Sequence, residues 1–365
     1  MNFDGRPYSS PSRVNSGALD FRGLCTREKS LGKAGQDVAY KCGKLQPNAS
    51  GLLYLQPFSI PLLPASDLRS TPNANMTRAP VICITHGGGP MPIVGPMLGD
   101  KGHDNINATL SNRIPALLKL GTPDAPKAIV VVTPHWRPDR PTVTGTAEPP
   151  LYHDFEPSHP PQSWDISYKA PGSPEVAEKI CELLRNAGLQ PVKDMERGWD
   201  HGIFVPFLLI NPKGDIPLVQ LSILSTEDPV QHYRIGEALA TLRDENVAIV
   251  GSGFASFHNV AIQRSLYFAD PNSSEVQLWL GRVREWNKVL ADSVLNRDPK
   301  ERLRRLQGWR GFPYSLDMHP AGEAEHLMPL MVCAGAAAND EGAQFTDTFG
   351  GVEVASQYWG STGIL

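Results

Sequence analysis

The apolar positions of this 365-residue chain gather into short blocks, separated by longer stretches of mixed polarity. Pro80 to Thr85 and Lys127 to Thr133 are nearly continuous apolar runs, the pattern of strands buried on both faces. Ile216 to Ile223 and Val247 to Val250 repeat it. Between them the period lengthens. Ser111 to Leu120 carries Ile114, Leu117 and Leu118 at helical spacing, and Pro174 to Ala187 opens on Pro and is followed by Gly188. Further helices are predicted over Pro229 to Leu242, over Ser274 to Leu295 and from near Glu323. Strands alternating with helices predict an α/β fold, a single three-layer domain whose central, partly parallel sheet is flanked by helices.

Residues 1–78 break the pattern. Ser, Pro, Asn and Gly are scattered there with a mild basic excess and no sustained periodicity, so this segment is expected to be a poorly ordered N-terminal extension. Its Arg and Ser would suit a transit peptide, but the amphipathic helix of one is not evident. Residues 79–365 are left as the catalytic domain. A net charge of −4 without a basic stripe argues against nucleic acid as a partner. The longest apolar runs, Ala128 to Thr133 and Phe204 to Ile210, fall far short of the roughly 18 residues that span a bilayer, so no membrane is expected. Five widely spaced cysteines form no C-x-x-C pair, which predicts reduced thiols and a cytoplasmic protein.

The histidines change the picture from fold to chemistry. His86 directly follows the first strand in Thr85-His86-Gly87-Gly88-Gly89-Pro90, and His135 follows the second in Thr133-Pro134-His135-Trp136. His258 lies just past the strand that leads into Gly251-Ser252-Gly253. Ligand sites in open α/β sheets lie beyond the carboxyl ends of the strands, so these three can converge while far apart in sequence. His201, in Trp199-Asp200-His201-Gly202, and His326, in Glu325-His326-Leu327, complete the candidates. His103, His159, His232 and His319 read as structural hydrogen-bonding residues, and His153 is left open. Two imidazoles and one further ligand on one face suit a non-haem Fe(II) with open positions.

At these residues the sequence resembles the class III extradiol ring-cleaving dioxygenases, in their 4,5-DOPA dioxygenase-like branch, from Ala79 to the C-terminus. The blocks that carry the resemblance stand in family order. They are the Gly-rich turn at His86, His135-Trp136, Pro149 to Phe155 with its His-Asp-Phe, Tyr168 to Pro174, Asp200-His201-Gly202, Pro217 to Ser222, His258-Asn259, and Glu325-His326 followed by Pro329-Leu330. The resemblance implies extradiol cleavage of a catecholic, DOPA-like substrate with O2. It implies His86, His135 and His326 as metal ligands, with Glu325 the competitor for the third place. His258 would be the acid/base, also closing on zinc when substrate is absent, and His201 a pocket residue hydrogen-bonding substrate or oxygen. The metal would be Fe(II) in the active form, with Zn(II) admissible in a resting form. Two segments depart from the family: the first turn is one residue longer and is followed by an insertion from about Pro92 to Asn107, and Glu156 to Gln162 lacks the usual Gly-Phe-Pro.

Four rival readings compete. His86-Gly87-Gly88-Gly89 mimics an esterase oxyanion motif, but no G-x-S-x-G elbow accompanies it. Gly251-Ser252-Gly253 begins a dinucleotide fingerprint that fails at Ser256, and its glycines read instead as room for a close backbone approach. A zinc-dependent hydrolase on the same histidines is the alternative kept, because imidazole binds zinc as readily as iron. A non-catalytic binding protein would keep the site without turnover. Arg137 and Arg140 are noted as contacts for a substrate carboxylate, and Asp200 as a neighbour able to tune His201.

Overall fold

Alternation inside the apolar runs builds the sheet. In the strand Ala128–Thr133, Val130 and Val132 face one core while Ile129 and Val131 face the other, and all are buried. The computed structural model describes residues 78–360, except 268, 271 and 350, together with two upstream strands, β1 (Gly43–Pro47) and β2 (Leu53–Pro57). Those two pair antiparallel as a hairpin of their own. Otherwise the N-terminal extension lies outside the described residues.

The larger sheet has eight strands: β3 (Val81–Thr85), β4 (Ala128–Thr133), β5 (Thr142–Thr144), β6 (Val192–Asp194), β7 (Leu218–Ser222), β8 (Val247–Gly253), β9 (Gly342–Phe349) and β10 (Val352–Trp359). They lie in the order β6-β5-β7-β4-β8-β3-β10-β9. The block β7-β4-β8-β3 is parallel, and β5 and β10 border it antiparallel. One face packs on helices Pro174–Asn186, Pro229–Leu239, Ser274–Val294 and Met328–Ala336 through residues such as Ile180, Ile235, Leu290 and Leu330. The other packs on a helical run from Asp104 to Leu117 and on helix His201–Ile210, through Leu110, Ile114, Phe204 and Phe207. The expected three-layer α/β domain is what forms.

Several boundaries differ from the sequence expectation for local reasons. The helix expected from Ser111 begins at Asp104 and passes through a π turn, Thr109–Arg113, just before Pro115, which has no N–H for the preceding turn. The strand from Val247 continues through Gly251, Ser252 and Gly253, whose small side chains let it run on beneath the site. The β9–β10 hairpin went unpredicted, because β10 buries Ser356 and Gln357 where a clean apolar alternation would have announced it. Among the described residues, no helix is long and apolar enough to cross a membrane. Cys83, Cys181 and Cys333 are free thiols and buried.

Candidate metal centre

Three parallel strands end on the same side of the sheet, and the chain turns at each end put imidazoles together. The rings of His86, His135 and His326 form a nearly equilateral triangle, with centroids 5.3, 5.2 and 5.1 Å apart. His86 and His135 come from the ends of β3 and β4. His326 arrives on a short 3-10 turn, Glu325–Leu327, that is held against the end of β8. The His86 N–H donates to Gly253 O (3.0 Å) and the Phe254 N–H donates to His326 O (3.1 Å), so two consecutive residues of one strand end fix two of the three rings.

Each ring is also held from behind. His86 Nδ1 meets Ser252 Oγ at 3.0 Å, and that hydroxyl donates onward to Gly202 O. With the hydroxyl proton so used, Nδ1 is the donor. His326 Nδ1 lies 2.8 Å from Glu325 Oε1, and His135 Nδ1 lies 3.4 Å from Asp200 Oδ1. Donation from Nδ1 leaves the lone pair of a neutral imidazole on Nε2. The Nε2 atoms of His135 and His326 face each other at 3.2 Å. Two lone pairs at that distance repel unless a cation lies with them, so the donor set fits a metal ion by its chemistry. Backing of Nδ1 by oxygen acceptors is also the usual surround of metal-binding histidines. Burial, followed by the charges of neighbouring histidines, holds the pKa of His86 and of His326 well below the ordinary imidazole value. His135 is lowered too, by burial first and then by His201.

The other two candidates stack on this set. His201 lies on His135 with centroids 3.9 Å apart, and its ring and backbone N–H both engage Asp154 Oδ1, at 2.8 and 2.9 Å. Burial pulls the Asp154 pKa upward most strongly of any one cause, but the bond from His201 and the charges of His201 and His135 together outweigh it and hold the carboxyl below its usual range. His258 lies on His326 at 3.4 Å, with Nδ1 3.4 Å from Glu325 Oε1. Burial, then His201, pushes the His258 pKa down to about 4. In the Glu325-His326 pair the imidazole meets the other two rings, while the carboxylate stands behind it and reaches Arg137 at 3.6 Å.

The remaining histidines make structural bonds. His103, in the insertion, accepts from Gly88 N (3.0 Å) and so ties that segment back to the His86 turn. His232 accepts from Leu224 N, His319 bonds to Ala255 O, His159 to Glu156 O and His153 to Ile166 O. Asp200 does not turn toward the adjacent His201. Its bonds go to Thr133, Gln220, Arg197 and His135, because as the residue before helix His201–Ile210 it points back under β4. Sequence reasoning assigned no role to Asp154, Ser252, Gln220 or Arg197. Only Asp154 and Ser252 had a signal, lying in the His-Asp-Phe and Gly-Ser-Gly blocks.

Residues 80–364 match the family described as the catalytic LigB subunit of aromatic ring-opening dioxygenase. The chain is similar to dioxygenase tasH of Hapsidospora irregularis, 44% identical over 299 residues that cover 80% of this chain and 89% of the relative. It is 34% identical to the 4,5-DOPA dioxygenase extradiol of Beta vulgaris over 220 residues, 60% of this chain and 76% of the relative. The crystal structure of uncharacterized protein JW3007 from Escherichia coli K12 superposes with a TM-score of 0.56 at 26% identity, covering 77% of this chain and all of that one. The sheet order, the histidine cluster and these matches together place the chain in the LigB family of extradiol, aromatic ring-opening dioxygenases.

Proposed function

We propose that this dioxygenase opens the ring of a catecholic, DOPA-like substrate, with Fe(II) held by His86, His135 and His326. The observation that carries the reading is the convergence of three imidazoles whose Nδ1 atoms are each backed by an oxygen. Bound there, the iron would lower the pKa of the catechol hydroxyls and link the ring electronically to dioxygen, using the positions a facial triad leaves open.

The rest falls to the chain's own side chains. His258 is neutral at pH 7 and takes the remaining hydroxyl proton, then returns it as the ring opens; such a group contributes about 10²–10⁴ in rate. His201, its Nδ1 held by Asp154, offers Nε2 to the substrate. Phe155 beside His201 (5.5 Å) and Phe254 beside His258 (6.5 Å) flank the site with apolar surface. Arg137 is already engaged by Glu325, which weakens its case as a carboxylate contact. Residues 79–365 are taken as the catalytic unit, residues 1–78 as an extension, and the cytoplasm as the location. The zinc-hydrolase alternative gains no support from the relatives described above.

The test is anaerobic loading with Fe(II), followed by oxygen uptake and absorbance with catechol, DOPA and caffeate. Iron-dependent uptake with a new yellow ring-fission chromophore is expected. No uptake with any catechol, despite stoichiometric iron, would sink the reading.

A further inference from the structure

Two carboxylates flank His135 Nδ1, and they differ in what holds them. Asp154 Oδ2 stands 3.7 Å away, beyond hydrogen-bond range, while its Oδ1 is committed to the ring and backbone of His201. Asp200 Oδ1 stands 3.4 Å from Nδ1, at the outer limit of such a bond. Asp200 is fully buried, and three other donors lock it. Thr133 Oγ1 donates to Oδ1 at 2.7 Å, while Gln220 Nε2 and Arg197 Nη2 donate to Oδ2 at 3.1 and 3.2 Å. Together with His135 these fill the roughly four acceptor positions of a carboxylate, so it cannot rotate away. The same Arg197 nitrogen donates to His135 O (3.3 Å), which grips the backbone of the ring that Asp200 faces. The guanidinium is itself packed against Trp136 (5.1 Å) and Tyr152 (4.6 Å). A methyl group at Gly202 would sit 3.0 Å from His135 Nδ1 and 3.2 Å from Asp200 Oδ1, so only glycine leaves this contact undisturbed.

We propose that Asp200, braced by Arg197, Gln220 and Thr133, is the positioning residue that presents His135 Nε2 to the metal, and that Asp154 serves His201 instead. This rests on the reading of His135 as a ligand. A buried acceptor on Nδ1 fixes the ring plane and the tautomer, and losing such a partner lowers metal affinity about 10–100-fold. A carboxylate engaged elsewhere has no such hold on the ring.

The experiment compares Asp200→Asn, Asp154→Asn, Arg197→Gln and His135→Ala in the full chain. Zinc affinity is measured by competition with a chromophoric chelator, and the His135 tautomer in the metal-free protein by two-bond ¹H–¹⁵N spectra. Asp200→Asn is expected to lose about 10–100-fold in zinc affinity and to populate the Nδ1–H tautomer of His135 less than the wild type does. Asp154→Asn should match wild type in both. Should Asp200→Asn fail to fold, Arg197→Gln decides, with a loss in the same direction expected. Wild-type affinity in Asp200→Asn, or an equal loss in Asp154→Asn, while His135→Ala abolishes binding, would overturn the assignment alone. Wild-type affinity in His135→Ala would instead overturn the ligand reading beneath it.

Discussion

Replacing Gly253 by alanine adds one methyl group at the point where β8 meets the turn that carries His326. The new carbon would lie 2.5 Å from His326 O, a backbone atom, where ordinary contact begins near 3.4 Å. The two segments must therefore part by about 0.9 Å. Neither side yields cheaply, because Gly253 O holds the His86 N–H and His326 O holds the Phe254 N–H. Gly253 is not in the left-handed region, so alanine brings no backbone strain, and its smaller unfolded-state entropy returns about 0.4–1 kcal/mol. Overpacking costs about 1–3 kcal/mol, leaving a net loss of up to about 2.6 kcal/mol, which lowers Tm by up to several degrees. The larger effect is on the site. Metal–ligand distances tolerate only about 0.2 Å, so moving His326 by several times that should cost at least about tenfold in metal affinity and about 10²-fold in kcat. Chelator competition, thermal melts with and without metal, and steady-state oxygen uptake read the three effects. Gly281→Ala is the control: it lies in helix Ser274–Val294 with nothing within 4 Å of the added methyl, and should stabilise the chain by up to about 1 kcal/mol. A Gly253→Ala protein that melts with the wild type and binds metal equally well would refute the argument.

Ser252→Ala removes the hydroxyl that links His86 Nδ1 to Gly202 O, and a loss of about tenfold or more in metal affinity is expected by chelator competition. His258→Ala should cut kcat by about 10²–10⁴ with metal stoichiometry retained; a drop of only a few-fold would remove it from the proton-transfer role. His232, buried as the neutral ring, has its pKa lowered by burial from 6.5 to about 4. Between those values the unfolded chain binds a proton that the folded one does not. Its contribution is thus fully present above pH 6.5 and lost as pH falls toward 4, by at most about 3 kcal/mol. Urea titrations of the metal-free protein across that range should show the slope, and His232→Gln should make it shallower, the other buried histidines keeping the rest.

The layered sheet and the address of the site follow from the local pattern of residues alone. Continuous apolar runs at Val81–Thr85 and Ala128–Thr133, each bounded by Pro or Gly, suit buried strands, and a histidine just past the end of such a strand lies at the carboxyl edge. His86, His135 and His258 were legible for that reason, His201 and His326 only as further histidines in Gly- and Pro-punctuated turns, and all five come together. The local pattern failed where polar residues are buried by partners distant in the chain. Ser356 and Gln357 hide the hairpin strand β10, and its pairing with β3 depends on residues more than 250 positions away. The same limit governs the support of the metal centre. Adjacency in sequence pointed Asp200 at His201, whereas the helix that starts at His201 turns the two side chains apart. Only the packing of β4, β7 and that helix decides that Asp200 meets His135 and that Asp154 meets His201. Hydrogen bonds are short-ranged and directional, so which oxygen backs His135 and which backs His201 is fixed by the folded backbone and not by the local order of residues.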